Sequence, residues 1–200
     1  MKYPPRHNPN KGKVILGLYD ISSPLTGVYR DAGYAVIRFD RLRGQDVRLI
    51  EKCPFPVHGI ISHSPCTHFA GSGARWWESK GEGPIVEGLS TIDATLRIVW
   101  VNKPKFWVLE NPVGRLPRWI GRPRFIFQPH EFGGWLDPIG DEYTKRTCLW
   151  GEFTIPEKRN VYPRLGSPVR DKMSSQTVEG AGSRDAFPLG FSRAFFSVNK

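Results

Sequence analysis

Lys13–Phe39 reads KVILGLYDISSPLTGVYRDAGYAVIRF. The apolar run Lys13–Tyr19 has strand length and stops at the polar turn DISS, as a buried strand does. Pro24 suits the first turn of a helix that runs to Ala32, and Gly33 suits its C-cap. Tyr34–Phe39 is a second strand, closed by Asp40. A strand, turn, helix and strand within about 27 residues have the size of a βαβ unit.

The same alternation continues outward. Arg41–Lys52 is charged, with a short helical turn in DVRLIE. Val57–Ser62 is a third buried strand that leads to Cys66. Thr67–Pro84 reads as a loop with GSG, paired Trp and GEG, and Thr67–Trp77 within it as a mobile lid. Ile85–Val101 carries Ile85, Leu89, Ile92, Leu96 and Val99 near the 3.6-residue period, so it is a helix, ended by Pro104. Phe106–Leu109 is a fourth strand, closed by Glu110-Asn111-Pro112. Phe125–Gln128 and Cys148–Phe153 are further candidate strands, and Leu189–Val198 an aromatic-rich helix or cap. Residues 1–12 read as a flexible basic arm, and 13–200 as a single catalytic domain in which 154–185 is irregular. Strands alternating with helices imply an α/β fold with a mostly parallel sheet. Ligands of such sheets collect beyond the carboxyl ends of the strands, where DISS, Asp40, SPC and ENP all fall.

Composition bounds the partners. The net charge of +10 points to a polyanion, nucleic acid above all, although a chain can also simply be basic. Hydrophobic residues at 39% support a folded, soluble protein. Three cysteines form no disulfide framework, and MKYPPRHNPNKGK has no apolar signal core. No run reaches membrane-span length. A reducing, cytoplasmic setting is therefore expected, with no membrane partner.

Cys66 follows Pro65 directly after a strand, where a thiol can attack an electrophile. The plainer alternative is a small buried apolar residue. Glu110 follows the apolar strand FWVL, where a carboxylate can hold a proton, or can merely precede an Asn-Pro turn. Asp40 can receive ribose hydroxyls, or can be an ordinary turn residue. His58, His63, Cys66 and His68, with Cys53 nearby, fit no common zinc spacing, so no metal is expected. A G-x-G-x-x-G fingerprint is absent.

Taken in order, Ser64-Pro65-Cys66-Thr67 and Glu110-Asn111-Pro112 resemble the Pro-Pro-Cys-Gln and Glu-Asn-Val motifs of the DNA cytosine-5 methyltransferase family. The likeness covers most of residues 13–151 and returns at Phe187–Phe196; THFAGSGARWW and YTKRTCLWG are similar to compact phage and prophage members. The resemblance implies a Rossmann-like methyltransferase fold that uses S-adenosylmethionine. It implies catalytic roles for Cys66, Glu110 and Arg146. It implies cofactor contacts from Tyr19, Asp20, Ser22, Ser23, Asp40, Asp46 and Pro65, and substrate contacts from Ser64, Asn111 and Arg75. The implied partner is DNA or a cytosine nucleotide, and a base in a duplex would have to be flipped out or already single-stranded. Two departures stand out. Tyr19-Asp20-Ile21-Ser22-Ser23-Pro24 lacks both glycines of the family's Phe-x-Gly-x-Gly. Only about 35 residues stand where a target-recognition domain would lie, so specificity would come from a protein partner or be loose. Methylation of free or single-stranded cytosine nucleotides, and an inactive DNA- or protein-binding module, are the alternatives.

Overall fold

The computed structural model of the protein describes residues 8–164 and 187–200. Its frame is a six-stranded sheet: β1 (Val14–Leu18), β2 (Ala35–Phe39), β3 (Val57–Ser62), β4 (Phe106–Pro112), β5 (Phe125–Phe127) and β6 (Thr147–Glu152), in the order β2-β1-β3-β4-β6-β5. The first four strands in that order run parallel. β1 and β3 are buried at every residue, which is why they read as unbroken apolar runs.

The helices are α1 (Pro24–Asp31), α2 (Gly83–Asn102), the single turn α3 (Pro117–Ile120) and α4 (Leu189–Val198). Side chains alternate across the sheet. Ile15, Ile61, Phe106 and Val108 point to one face, where they pack with Leu25 and Tyr29 of α1 and Phe191 and Phe195 of α4. Leu16, Leu18 and Ile60 point to the other, against Ala94 and Ile98 of α2. The result is a Rossmann-like α/β layer structure with helices on both faces. Because β1 pairs with β2 on one side and β3 on the other, the winding reverses between β1 and β3. In sheets of this kind ligands bind at such a reversal, beyond the carboxyl ends of the strands.

The sheet is mostly parallel, as expected, with β6 antiparallel to β4 and β5 antiparallel to β6 at one edge. That pairing also lengthens β4. Its bonds to β3 stop at Leu109, but β6 continues opposite Glu110, Asn111 and Pro112, so ENP belongs to the strand instead of closing it. The helix after the Trp pair extends from Gly83 to Asn102, with Pro in its first turn and Lys103 as a left-handed cap at φ 46°. The DVRLIE segment does form a short turn, a 3-10 helix over Val47–Leu49.

The described part of the amino-terminal arm is docked. Asn8 Nδ2 donates to Gly33 O and Asn10 Nδ2 to Ala32 O, both at 2.9 Å. Residues 1–7 and 165–186 lie outside the described residues, so the expected flexible arm and irregular segment are seen only in part. Phe153–Arg164 has no regular element, and Asn199 clamps its start by exchanging two hydrogen bonds with the Thr154 backbone. Among the described residues no helix is long and apolar enough to cross a membrane.

Candidate active site at the carboxyl ends of the strands

β3 delivers its continuation, His63–Cys66, to the rim of the sheet. His63 N donates to Leu18 O at 3.0 Å, which carries the β1–β3 pairing one step further. Ser64 then turns inward. Its hydroxyl is buried with those of Ser62 and Thr95, at 3.0 and 3.3 Å. Asn111, fully buried on β4, donates from Nδ2 to Ser64 O at 2.9 Å. These contacts fix the backbone immediately before Pro65 and Cys66, both of which are exposed. The buried, inert role considered for Cys66 belongs to Cys148, whose thiol is pushed up to about 11, chiefly by burial.

Ser64 and Asn111 thus hold the backbone that carries Cys66. Their polar side-chain groups face the protein interior and hold the Cys66 loop on the sheet.

Glu110 sits on β4 with its carboxylate 15% exposed, and His63 Nδ1 is 3.6 Å from its Oε2. That is an ion-pair distance and too long for a hydrogen bond. His63 is a site residue that sequence reasoning weighed only as a metal ligand. Its edge also meets the Phe187 ring, 5.1 Å between centroids. Cys66 lies three residues on from His63, within about 11 Å of chain reach. Arg146 arrives from the other direction. β6 runs antiparallel to β4, so the residues before Thr147 lie at the end that carries Glu110–Pro112. Arg146 and Glu110 both act electrostatically on Cys148, the first lowering and the second raising its pKa. The structure thus brings Cys66, Glu110 and Arg146 to one rim.

The loop after Cys66 is not free along its length. Phe69 is fully buried, Ala70 bridges Gly114, and Gly71 N donates to Val113 O at 2.9 Å. A Cβ on Gly114 would lie 1.8 Å from Phe69 O, so only glycine allows this approach. The expected lid is thus a pinned base followed by a 3-10 helix over Gly71–Trp76, at whose exposed end Arg75 lies over the Trp76 ring. Arg75 remains accessible at the surface, as a substrate contact requires.

The β1 side differs. Tyr19 takes the left-handed conformation, φ 54°, and turns the chain sharply without glycine. Its ring packs toward α2, and its hydroxyl donates to Thr91 O at 3.0 Å. Asp20 is fully withdrawn. Its Oδ1 accepts from Ser23 N at 2.6 Å, its Oδ2 accepts from Thr26 Oγ1 at 2.6 Å, and Arg38 Nε lies 3.4 Å away. Ser23 caps α1 by accepting from Leu25 N, while Ser22 is exposed. The Asp20 carboxylate therefore occupies the amino end of α1, where an anionic group of a ligand would otherwise sit. Asp20 organises this turn.

At the end of β2, Asp40 accepts from Leu42 N at 2.8 Å through Oδ1 and is partly exposed. A carboxylate so placed fits a ribose diol. Asp46 is engaged by Arg48 through bonds of 2.6 to 3.0 Å, which hold its carboxyl down at about 2. Contact with an adenine amine would require Arg48 to yield it. Asp40 thus fits the ribose of an adenosine cofactor. The Ser22–Ser23 turn, with Asp20 in it, leaves no open helix terminus beside it.

No family model matches the chain. No curated protein matches it. Among solved structures it is similar to the crystal structure of a prophage-encoded E. coli protein whose proposed identity is a DNA modification methyltransferase. The identity is 14% and the TM-score 0.44, over 70% of this chain and 46% of that one. The chain thus spans about half of that protein's length, and a likeness this distant bears on neither activity nor substrate.

Proposed function

We propose that the protein is an S-adenosylmethionine-dependent methyltransferase that acts on C5 of cytosine in DNA. The observation that carries this reading is the exposed Cys66, on a backbone fixed by Asn111 and Ser64, at the same rim as Glu110 and Arg146.

In the proposed reaction the Cys66 thiolate adds to C6 of the cytosine, which makes C5 enamine-like and nucleophilic. The cofactor, when bound, supplies an electrophilic methyl group on its sulfonium. Glu110 hydrogen-bonds the N3 edge of the base and offsets the charge that develops there. Arg146 braces the base from the β6 side. Loss of the C5 proton to a base or water and elimination of Cys66 restore aromaticity and the thiolate. The base must leave a duplex stack or be presented unpaired to reach this rim. Asp40 holds the nucleoside end of the cofactor.

The test uses DNA that carries 5-fluorocytosine, in which fluorine blocks the final elimination. With S-adenosylmethionine, the wild-type protein forms a denaturant-resistant complex and Cys66→Ser forms none. Methyl transfer by Cys66→Ser at the wild-type rate would overturn the assignment. Running duplex, single-stranded and free dCMP substrates in parallel identifies which form is used.

A further inference from the structure

Beside the Cys66 loop the chain builds a surface that the proposed chemistry does not use. The segment Val113–Phe125, VGRLPRWIGRPRF, holds four arginines and no carboxylate. It is fixed to that loop by the Ala70–Gly114 bridge and by Arg115 Nε, which donates to His68 O at 2.8 Å. The Arg115 guanidinium lies between two indoles, 4.6 Å from the Trp77 ring and 6.0 Å from that of Trp119. Trp119 in turn meets the buried Phe69. Around this stack the surface is open. Trp76 is 53% and Trp119 41% exposed, and Arg75, Arg118 and Arg122 are exposed too. Two donors inside the stack, Trp77 Nε1 and Arg115 Nη2, have no acceptor among the described residues.

We infer that this surface binds single-stranded DNA flanking the target base, with exposed Trp76 and Trp119 as stacking platforms and Arg75, Arg118 and Arg122 on the phosphates. Aromatic faces interleaved with cations suit a strand whose bases are unpaired. An indole can stack only on a base that is not already sandwiched in a duplex, and the guanidiniums track the backbone without regard to sequence. Arg75, the first residue of the surface, stands nine residues after Cys66, on the 3-10 helix that follows the Cys66 loop. The inference rests on the proposed function only for the identity of the target base.

The test therefore uses cytosine-free DNA, which cannot report on methyl transfer. Fluorescence anisotropy of labelled oligo(dT) is measured against the full-length protein, with a duplex of equal length beside it. Oligo(dT) is expected to bind at least tenfold tighter than the duplex, with affinity falling steeply as salt rises. Trp76→Ala is expected to weaken it by roughly 5- to 150-fold. Arg118→Glu is expected to weaken it and to flatten the log–log salt slope by about 0.7 or more. Trp100→Ala, which alters an indole 79% exposed near the carboxyl end of α2, at the opposite end of the sheet, should change nothing. Equal binding of duplex and single strand, unchanged binding in both patch variants, or an equal loss in Trp100→Ala would overturn the inference. An oligo(rU) bound tenfold tighter than oligo(dT) would assign the surface to RNA and overturn the DNA reading.

Discussion

Two carboxylates at the same rim of the sheet are treated in opposite ways. At the end of β1, Asp20 is wholly buried, and both oxygens are held by Ser23, Thr26 and Arg38. At the end of β4, Glu110 keeps access to solvent, and His63 stands 3.6 Å away. The β1 side thus consumes its acid in shaping a glycine-free turn, while the β3–β4 side holds its acid and thiol rigidly yet open. A group available for chemistry is one that the fold positions through its backbone neighbours, as Asn111 and Ser64 do for Cys66. A group whose own atoms are all engaged is part of the scaffold.

The most direct way to break this comparison is at Asp20. Asp20→Asn keeps the shape but turns one acceptor into a donor facing Thr26 and Arg38. Disrupting a buried charge partner costs about 3 kcal/mol or more, so the urea midpoint should fall clearly. Unchanged stability combined with lost cofactor binding would make Asp20 a ligand contact.

The contrast between the thiols gives the next effect. Burial raises Cys148 to about 11 against an ordinary value of 9.0, which lowers its thiolate fraction about 100-fold near neutral pH. Iodoacetamide at pH 8 should therefore label Cys66 first, and label Cys148 about 100-fold more slowly in the folded protein than in the unfolded one. Mass spectrometry of the peptides reads both rates. Early labelling of Cys148 would show that the β4–β6 pair opens readily.

Much of this was legible in the sequence, for local reasons. KVILGLY and VHGIIS are apolar throughout because both faces of a central strand are covered. Pro24 and Gly33 bound α1 through intrinsic backbone preferences, with φ 89° at Gly33. What stayed hidden depends on contacts distant in sequence. The engagement of Asp20 was hidden because Thr26 and Arg38, which claim it, are ordinary residues until β2 lies beside β1. β4 looked three residues shorter because its extension is imposed by β6, about 40 residues later. His63 gave one usable signal, its place at the end of the strand leading to Cys66, but its pairing with Glu110 needs β3 beside β4. The Trp77–Arg115–Trp119 stack likewise joins segments separated by the whole of α2.

Asp46 offers the smallest effect and the sharpest distinction, because it is an acid engaged by its own neighbour and not buried by the fold. Arg48 holds its folded value near 2, below an unfolded value of about 4. A depressed carboxyl contributes stability above its unfolded value and loses it as pH falls toward the folded one. The stability difference between wild type and Asp46→Asn should thus be constant from pH 7 to 5 and shrink between about pH 4 and 2. The pair is partly exposed, so the difference in urea midpoint should be about 0.5 M or less and should diminish in high salt. Other carboxylates titrate in both proteins and cancel, which isolates this pair. If the carboxylate instead served the cofactor, Asp46→Asn would weaken S-adenosylmethionine binding tenfold or more in a calorimetric titration. Commitment to Arg48 predicts a change within about twofold, which would leave Asp40 as the acid on this side that is open to a ligand.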